Sequence, residues 1–297
     1  MEEYIEMFIE YIRNVRKYSD YTETNYLIDL EEFNNYLNNN KLKFNNLNYN
    51  QVVKYTKYLS EEKHLVSTSI SRHLSAIKSF YNFLLEQEIV ESNPFKILSN
   101  PKKQIKLPNY MKYSEIEEMI NSIDDSILGI RNKLILELLF ATGARVGEVV
   151  NIKLNDIDII NHEIKVRGKG NKDRIVYFND HTEESLNNYL NNSRELLLNN
   201  KKSDYLLINH IGTRLTDRGI RDIIDKIILK TSINKKITPH MFRHTFATML
   251  LNEGCELKSV QELLGHVNLS TTAIYTHVTN DHIKDIYLNA HPRGNKK

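Results

Sequence analysis

Apolar side chains recur every three or four residues in four segments of the first 92 residues. This spacing places them along one face of an α-helix, the face that packs into a core. In the fourth segment Ile70, Leu74 and Ile77 share that face, and Asn50 stands where it would cap the third. We therefore predict a four-helix module over residues 1–92. Its predicted helices are Glu2–Tyr18, Thr22–Leu37, Asn50–Leu59 and Ser67–Leu85.

The composition changes after this module and marks a domain boundary. Residues 93–109 contain three prolines and four lysines, which is typical of an extended basic linker. Beyond it, residues 110–297 are predicted to form a second domain, mainly helical with a small sheet. Two alternating arms flank Gly168-Lys-Gly-Asn, the pattern of a β-hairpin. Further strands are predicted at Ile152–Asp156 and Tyr205–Ile208. The predicted fold class is α+β, mainly α with a small antiparallel β-sheet.

Three consecutive helices are predicted between Thr238 and Tyr275. Thr238 and Pro239 suit the cap and the first turn of the first helix, because proline lacks an N–H that this turn leaves unused. The second helix spans Leu257–Leu264, and Gly265 ends it in the left-handed conformation that glycine tolerates. The third helix carries Tyr275.

Six side chains along this second domain have chemistry suited to a phosphate group. Arg145 follows a helix-breaking glycine and opens a helix, whose N-terminus favours anions. Lys169 stands at the hairpin tip, and His240 and Arg243 are three apart on one helix face. Each taken alone has an ordinary explanation in packing, hydrogen bonding or a surface ion pair. In chain order the six are Arg145, Lys169, His240, Arg243, His266 and Tyr275.

The net charge of +2 by itself does not indicate a nucleic-acid partner. The distribution of charge along the chain does indicate one. Residues 1–100 carry 11 basic and 14 acidic side chains, whereas the remainder carries 29 and 24. Local basic clusters are the electrostatic footprint of a phosphate backbone. They comprise Lys102, Lys103 and Lys106, then Lys165, Arg167, Lys169, Lys172 and Arg174, then Arg214, Arg218 and Arg221.

Several function classes are disfavoured by the composition. The single Cys255 excludes a disulfide framework and a cysteine-rich zinc site. No P-loop motif is present, which argues against an ATP-driven motor. The sequence begins without a signal-peptide pattern, and its apolar runs are too short to span a bilayer. We expect a cytoplasmic protein.

The ordered set of six residues resembles the tyrosine recombinase/integrase family. The surrounding words A-T-G-A-R-V-G-E, G-K-G-N-K-D-R, T-P-H-M-F-R-H-T-F-A-T and Q-E-L-L-G-H look like its bacterial Xer (XerC/XerD-type) subgroup, as does the terminal H-P-R-G. The resemblance covers the whole chain. It implies an N-terminal core-binding, SAM-like helical domain that clamps DNA, followed by a catalytic domain.

The same resemblance implies a reaction and a role for each catalytic residue. Tyr275 would attack a DNA phosphodiester, form a 3′-phosphotyrosyl link and release a 5′-hydroxyl. Arg145 and Arg243 would stabilise the phosphate charge, and Lys169 would protonate the leaving oxygen. His240 and His266 would assist the nucleophile or hold the phosphate, and which is the principal base stays open. Neither a metal ion nor a nucleotide cofactor is expected.

Partners follow from the family as well. The substrate would be a double-stranded DNA recombination site, bound by a homo- or hetero-tetramer, with a DNA translocase as an optional further partner and no membrane. A predicted helix at Asn280–Asn289 would pass to a neighbouring protomer, or else pack on its own domain. The predicted DNA-binding side chains are Arg72, Lys78, Lys102, Lys103, Arg167, Lys172 and Arg174.

Three other functions remain open at this stage. An integrase of a mobile element would use the same chemistry, and a type IB topoisomerase would relax DNA without pairing two sites. A DNA-binding protein without catalysis is the alternative from another class. A non-catalytic DNA-binding protein would form no covalent adduct with DNA, whereas a recombinase, an integrase or a topoisomerase would. The favoured function is the resolution of chromosome or plasmid dimers.

Overall fold

The structure is a computed structural model that describes residues 1–96, 110–168, 173–265 and 278–294, with the backbone alone at 278–282. The chain divides into two compact units, Met1–Lys106 and Leu107–Lys297. Most of the predicted linker lies outside the described residues. Among the described residues, no helix is long and apolar enough to cross a membrane.

Four α-helices form the described part of the N-terminal unit, as predicted. They are α1 (Glu2–Asn14), α2 (Asp20–Asn39), α3 (Tyr49–Lys57, continued by a π-helical turn at Tyr58–Glu62) and α4 (Ser67–Glu86). The predicted apolar face of α4 is buried, including Ile70, Leu74 and Ile77. Its rings pack with those of the other helices, for example Phe33 against Tyr55 at 4.9 Å between centroids. A single aromatic-rich core therefore holds this unit.

Several helix ends in this unit differ from the predicted limits, and two of these differences involve a cap or a change in exposure. The cap of α3 is Asn48, not Asn50, because the Asn48 side chain accepts from Gln51 N while the Gln51 side chain accepts from Asn48 N. This reciprocal pair starts the helix two residues earlier. Helix α1 was predicted to continue to Tyr18, but it ends at Asn14. Val15 is therefore exposed and does not extend the apolar face of the helix.

The C-terminal unit is mainly helical. Its helices are α5 (Tyr113–Asn121), α6 (Ile127–Thr142), α7 (Val146–Val149), α8 (Asp180–Tyr189), α9 (Glu195–Leu198), α10 (Asp217–Ile228), α11 (Pro239–Asn252), α12 (Leu257–Leu264) and α13 (Val278–Ala290). Helix α6 is buried over most of its length from Leu134 to Thr142, which makes it the centre of the main core. A helix that is apolar on all sides is expected in such a position.

The small sheet is antiparallel, with strand order β1 (Ile157–Asp158), β2 (Glu163–Arg167) and β3 (Asp173–Tyr177). The predicted antiparallel pairing of the two hairpin arms is confirmed, with Arg167 opposite Asp173. Residues 169–172 of the predicted tip lie outside the described residues. The strand predicted at Ile152–Asp156 is wrong. A 3₁₀ turn at Leu154–Asp156 occupies that place, because the Asp156 carboxylate accepts from Lys153 N and closes the turn.

The other predicted strand, Tyr205–Ile208, is reduced to two isolated bridges. Tyr205 bridges Lys153, and Ile208 bridges Arg214. Each pairing consists of a single bridge with its flanking backbone hydrogen bonds, so no ladder forms. The apolar residues between, Leu206 and Leu207, are nevertheless fully buried. Their burial explains the pattern that predicted a strand.

Helix α13 packs on its own unit, against α11 and α12. Tyr287 is fully buried there beside Phe246 and Tyr177. The single chain thus has the arrangement of a terminal helix lying on its own domain. Passage of this helix to a neighbouring protomer stays a prediction.

The segment after α13 supplies a pH-sensitive contact. His291 lies among the rings of Phe140, Phe246 and Tyr287, and its Nε2 lies 3.4 Å from Phe140 O. Burial, which disfavours the charged imidazole, is the main cause that lowers the pKa of His291 to about 4. The unfolded chain binds this proton below about pH 6.5, whereas the folded chain binds it only below about pH 4.

We expect acid to weaken the fold through His291. The contribution of neutral His291 to the free energy of unfolding is fully present above pH 6.5 and is lost as the pH falls from 6.5 towards 4. Between pH 7.5 and 5, wild type should lose about 2 kcal/mol more unfolding free energy than His291→Phe, from about 1.4 kcal/mol per pH unit. Urea unfolding at both pH values measures it. Parallel losses in the two proteins would contradict the assignment.

Candidate active site

Arg145 is positioned by the sharp end of α6. Gly143 ends that helix at φ +57°, and a Cβ there would lie 2.6 Å from the Phe246 ring, so both conformation and space require glycine. Two residues later Arg145 caps α7, and its backbone N donates to Glu148 Oε2 at 2.7 Å. The Arg145 side chain donates from Nη1 to Glu148 Oε1 at 2.8 Å and is 42% exposed. Its guanidinium is therefore oriented and still accessible.

Arg243 lies on α11, which begins at Pro239 after Thr238, as predicted. Its buried guanidinium bridges the C-terminal ends of two helices, α6 and α12. Nη1 donates to Gly143 O at 2.8 Å, and Nη2 donates to Leu264 O at 2.5 Å. The carbonyls that end α6 and α12 are thereby held together around one side chain. This contact brings Arg243 into the neighbourhood of Arg145.

Glu148 is a site residue that the sequence analysis missed. Its carboxylate is 3% exposed and accepts from Arg145 and from Arg174 Nη2, the latter at 2.8 Å. Burial by itself would raise the pKa of Glu148, but Arg174 and Arg145 outweigh it and hold that pKa below its usual value. One signal was available in the sequence. Glu148 is three residues after Arg145, the spacing of a capping box.

The site holds more positive than negative charge. Burial first, and then repulsion by Arg145 and Arg174, lower the pKa of Arg243 to about 10, so it stays protonated at neutral pH. Glu148 offsets one of these three guanidinium charges. The surplus of two positive charges suits a phosphodiester that gains a second negative charge in its transition state.

His240 lies one turn before Arg243, in the first turn of α11, and is exposed. Three predicted catalytic residues, Lys169, His266 and Tyr275, lie outside the described residues. The segments next to two of them are described. Arg167 and Asp173, which lie before and after Lys169 in the sequence, pair with each other between β2 and β3. Gly265, at φ +66°, follows α12 directly before His266.

The predicted DNA-binding side chains fall into several environments. Arg72 donates to buried Asp29 at 2.6 Å, and Lys78 is half-buried, both within the N-terminal unit. Arg167 is exposed on β2, where it pairs with Asp173. Arg174 is only 15% exposed and contacts Glu148, so its guanidinium is engaged inside the protein. Lys102, Lys103 and Lys172 lie outside the described residues.

A cavity of about 500 Å³ opens beside Glu148. Lys153, Lys165 and Arg167 lie on its wall, together with Asp173, which forms ion pairs with Lys165 and Arg167.

Elsewhere, His162 lies between Glu183 and Asp180. Its Nε2 is 2.6 Å from Glu183 Oε2, and its Nδ1 is 3.8 Å from Asp180 Oδ1. Because the two carboxylates contact different ring nitrogens, each imidazole nitrogen already has a protein partner, and we assign no metal to this cluster.

Comparison with known proteins gives consistent matches along the chain. The Phage integrase family profile matches residues 109–282, and the profile of the phage integrase N-terminal SAM-like domain matches residues 5–88. The tyrosine recombinase XerC of Listeria innocua serovar 6a is 43% identical over 294 residues, which covers 97% of each chain. XerC of Staphylococcus saprophyticus is 41% identical over 298 residues and covers 100% of each.

A solved structure agrees in fold. The post-cleavage complex of XerH site-specific recombinase bound to palindromic difH substrate is 25% identical, with a TM-score of 0.69. The match covers 95% of this chain and 83% of that one. The predicted fold class is confirmed by this likeness.

Proposed function

The chain belongs to the phage integrase family, and from this premise we propose that it is a site-specific tyrosine recombinase. It cuts and rejoins double-stranded DNA through a 3′-phosphotyrosyl intermediate. The observation that carries the proposal is the meeting of Arg145 and Arg243 around the end of α6, with Glu148 orienting the first. Residues 1–92 clamp the DNA, residues 93–109 link the domains, and residues 110–297 catalyse the reaction.

Each catalytic side chain has a role in the proposed reaction. The Tyr275 oxygen attacks the phosphorus, and the bond to the 5′-oxygen breaks as Lys169 supplies its proton. Arg145 and Arg243 stabilise the charge that develops on the non-bridging oxygens. His240 and His266 hold the phosphate or take the tyrosine proton. The phosphotyrosyl bond retains the energy of the broken bond, so rejoining by a 5′-hydroxyl requires no ATP.

The biological role we propose is the resolution of chromosome dimers in the cytoplasm. Support comes from the XerC relatives, which align over nearly their full length. The XerH complex with its difH substrate supports duplex DNA as the substrate of this chain. We propose a homo- or hetero-tetramer on two DNA sites, with a DNA translocase as an optional partner.

Capture of covalent adducts tests this role. Protein is incubated with fragments of the genome that encodes it, adducts are isolated through the protein, and the attached DNA is sequenced. The proposal predicts one chromosomal locus, and two copies of that locus on a plasmid should recombine. Enrichment of the ends of a mobile element would indicate an integrase instead. Absence of any adduct would contradict recombinase activity.

A further inference from the structure

Two arginines bind the last two carbonyl groups of α12. Arg174 Nη1 donates to Leu263 O at 2.9 Å, and Arg243 Nη2 donates to Leu264 O at 2.5 Å. Carbonyls in the last turn of a helix lack intrahelical partners and form the negative end of its dipole. Two guanidiniums at this end therefore fix where the chain leaves α12.

Arg174 also reaches the other half of the site. Its Nη2 donates to Glu148 Oε2 at 2.8 Å, and Glu148 Oε1 accepts from Arg145. One side chain on β3 thus contacts both α7 and α12. Burial is the main cause that lowers the pKa of Arg174, and the Glu148 charge opposes it. The guanidinium is committed to these internal contacts.

The backbone after α12 lies directly on Arg174. A Cβ built at Gly265 would lie 2.6 Å from Arg174 Cδ and 2.7 Å from Nε. The left-handed φ of Gly265 already favours glycine, and the close approach adds a second reason. His266 follows immediately, and Tyr275 is nine residues further on. The position of Arg174 therefore constrains the start of the segment that carries the nucleophile.

We infer that Arg174 is a positioning residue for strand cleavage. Through Glu148 it holds Arg145 against the phosphate, and through Leu263 it holds the start of the segment that leads to Tyr275. Because Arg174 belongs to β3, it also couples Arg145 and the start of that segment to the predicted hairpin that carries Lys169. This inference rests on the proposed recombinase function. It replaces the direct DNA contact that the sequence alone predicted for Arg174.

The test compares Arg174→Met with Arg131→Met. Arg131 is a matched control, because it is 5% exposed and donates to a backbone carbonyl, that of Ile208. Among the described residues, its hydrogen bonds involve no residue of the site. The measurements are the melting temperature, the Kd for DNA, and the single-turnover cleavage rate at saturating protein on a nicked suicide substrate. These separate folding, binding and positioning.

Arg174→Met should keep its Kd within about threefold and cleave about 100-fold more slowly, the effect of a displacement near 1 Å in a catalytic group. Arg131→Met should lower the melting temperature and cleave at the wild-type rate below it. Arg174→Lys keeps the charge but reaches only one of the two acceptors, so we expect about tenfold slower cleavage. Because Arg174 acts partly through Glu148, combining Arg174→Met with Glu148→Gln should cost less than the product of the single effects.

Each outcome decides the inference. Wild-type cleavage by Arg174→Met overturns it, and so does a Kd raised tenfold or more with an unchanged rate at saturation, which is the signature of a direct DNA contact. If Arg174→Met does not fold, wild-type cleavage by Arg174→Lys overturns the inference and slow cleavage supports it. Fully multiplicative losses contradict the connection through Glu148. An adduct formed by wild type in the same assay shows that the recombinase function stands, whereas its absence removes both proposals.

Discussion

Replacement of Tyr275 by phenylalanine is expected to abolish covalent attachment to DNA and to leave DNA binding within about threefold. The substitution removes one oxygen, the atom that attacks phosphorus, and keeps the ring. We expect the cleavage rate to fall by at least about 10⁴-fold, as for loss of a nucleophile in other covalent enzymes. Adduct formation on a suicide substrate, resolved on a denaturing gel, measures the effect.

Tyr287 provides the matched control for this variant. It is a tyrosine close in sequence, but its side chain is fully buried and burial raises its pKa, so its oxygen is a poor nucleophile. Tyr287→Phe should form the adduct at the wild-type rate. Strand cleavage retained in Tyr275→Phe would reject Tyr275 as the nucleophile. If cleavage were lost in Tyr287→Phe and retained in Tyr275→Phe, the nucleophile would be Tyr287.

Arg145→Ala has the second largest expected effect. One amino group of Arg145 contacts Glu148, and the exposed part of the guanidinium can reach a phosphate. Its removal takes away a donor aimed at the developing charge, and it leaves the Glu148 carboxylate with one cation fewer. We expect about 10³-fold slower cleavage, or roughly 4 kcal/mol of lost transition-state stabilisation. Single-turnover rates at saturating protein isolate this loss from any change in binding.

Arg145→Lys controls for charge alone. Lysine keeps the positive charge but cannot donate two parallel hydrogen bonds, so its rate should fall between those of Arg145→Ala and wild type. Thermal melts verify that each variant folds. Cleavage by Arg145→Ala within threefold of wild type would remove Arg145 from the mechanism.

Local signals in the sequence predicted two helices of the site well, whereas the helix predicted to carry Tyr275 lies outside the described residues. Helix α12 was predicted with its observed limits, Leu257–Leu264, and α11 begins at the predicted Pro239. A cap, an N-terminal proline and a terminal glycine act within a few residues of the helix end, so the sequence carries them openly. The strand predicted at Ile152–Asp156 failed because the Asp156 carboxylate closes a 3₁₀ turn, so this segment pairs with Tyr205 through a single bridge at Lys153.

The long-range contacts inside the site were beyond prediction from local patterns. Arg243 binds the carbonyl of Gly143, one hundred positions away in the sequence. Arg174 looked like one of several hairpin cations, and only the folded chain shows its guanidinium between Glu148 and Leu263. Residue type and order predicted a set of catalytic side chains, and that set stays a prediction. Tertiary packing determines which of them contact the phosphate and which hold the others in place.

Mapping the covalent bond tests the central claim most directly. Wild-type protein is trapped on a suicide substrate, the adduct is digested with protease and nuclease, and the nucleotide-bearing peptide is sequenced by mass spectrometry. The account predicts a single modified residue, Tyr275, joined to the 3′-phosphate of the cleaved strand. A bond to another residue, or to a 5′-phosphate, would contradict it.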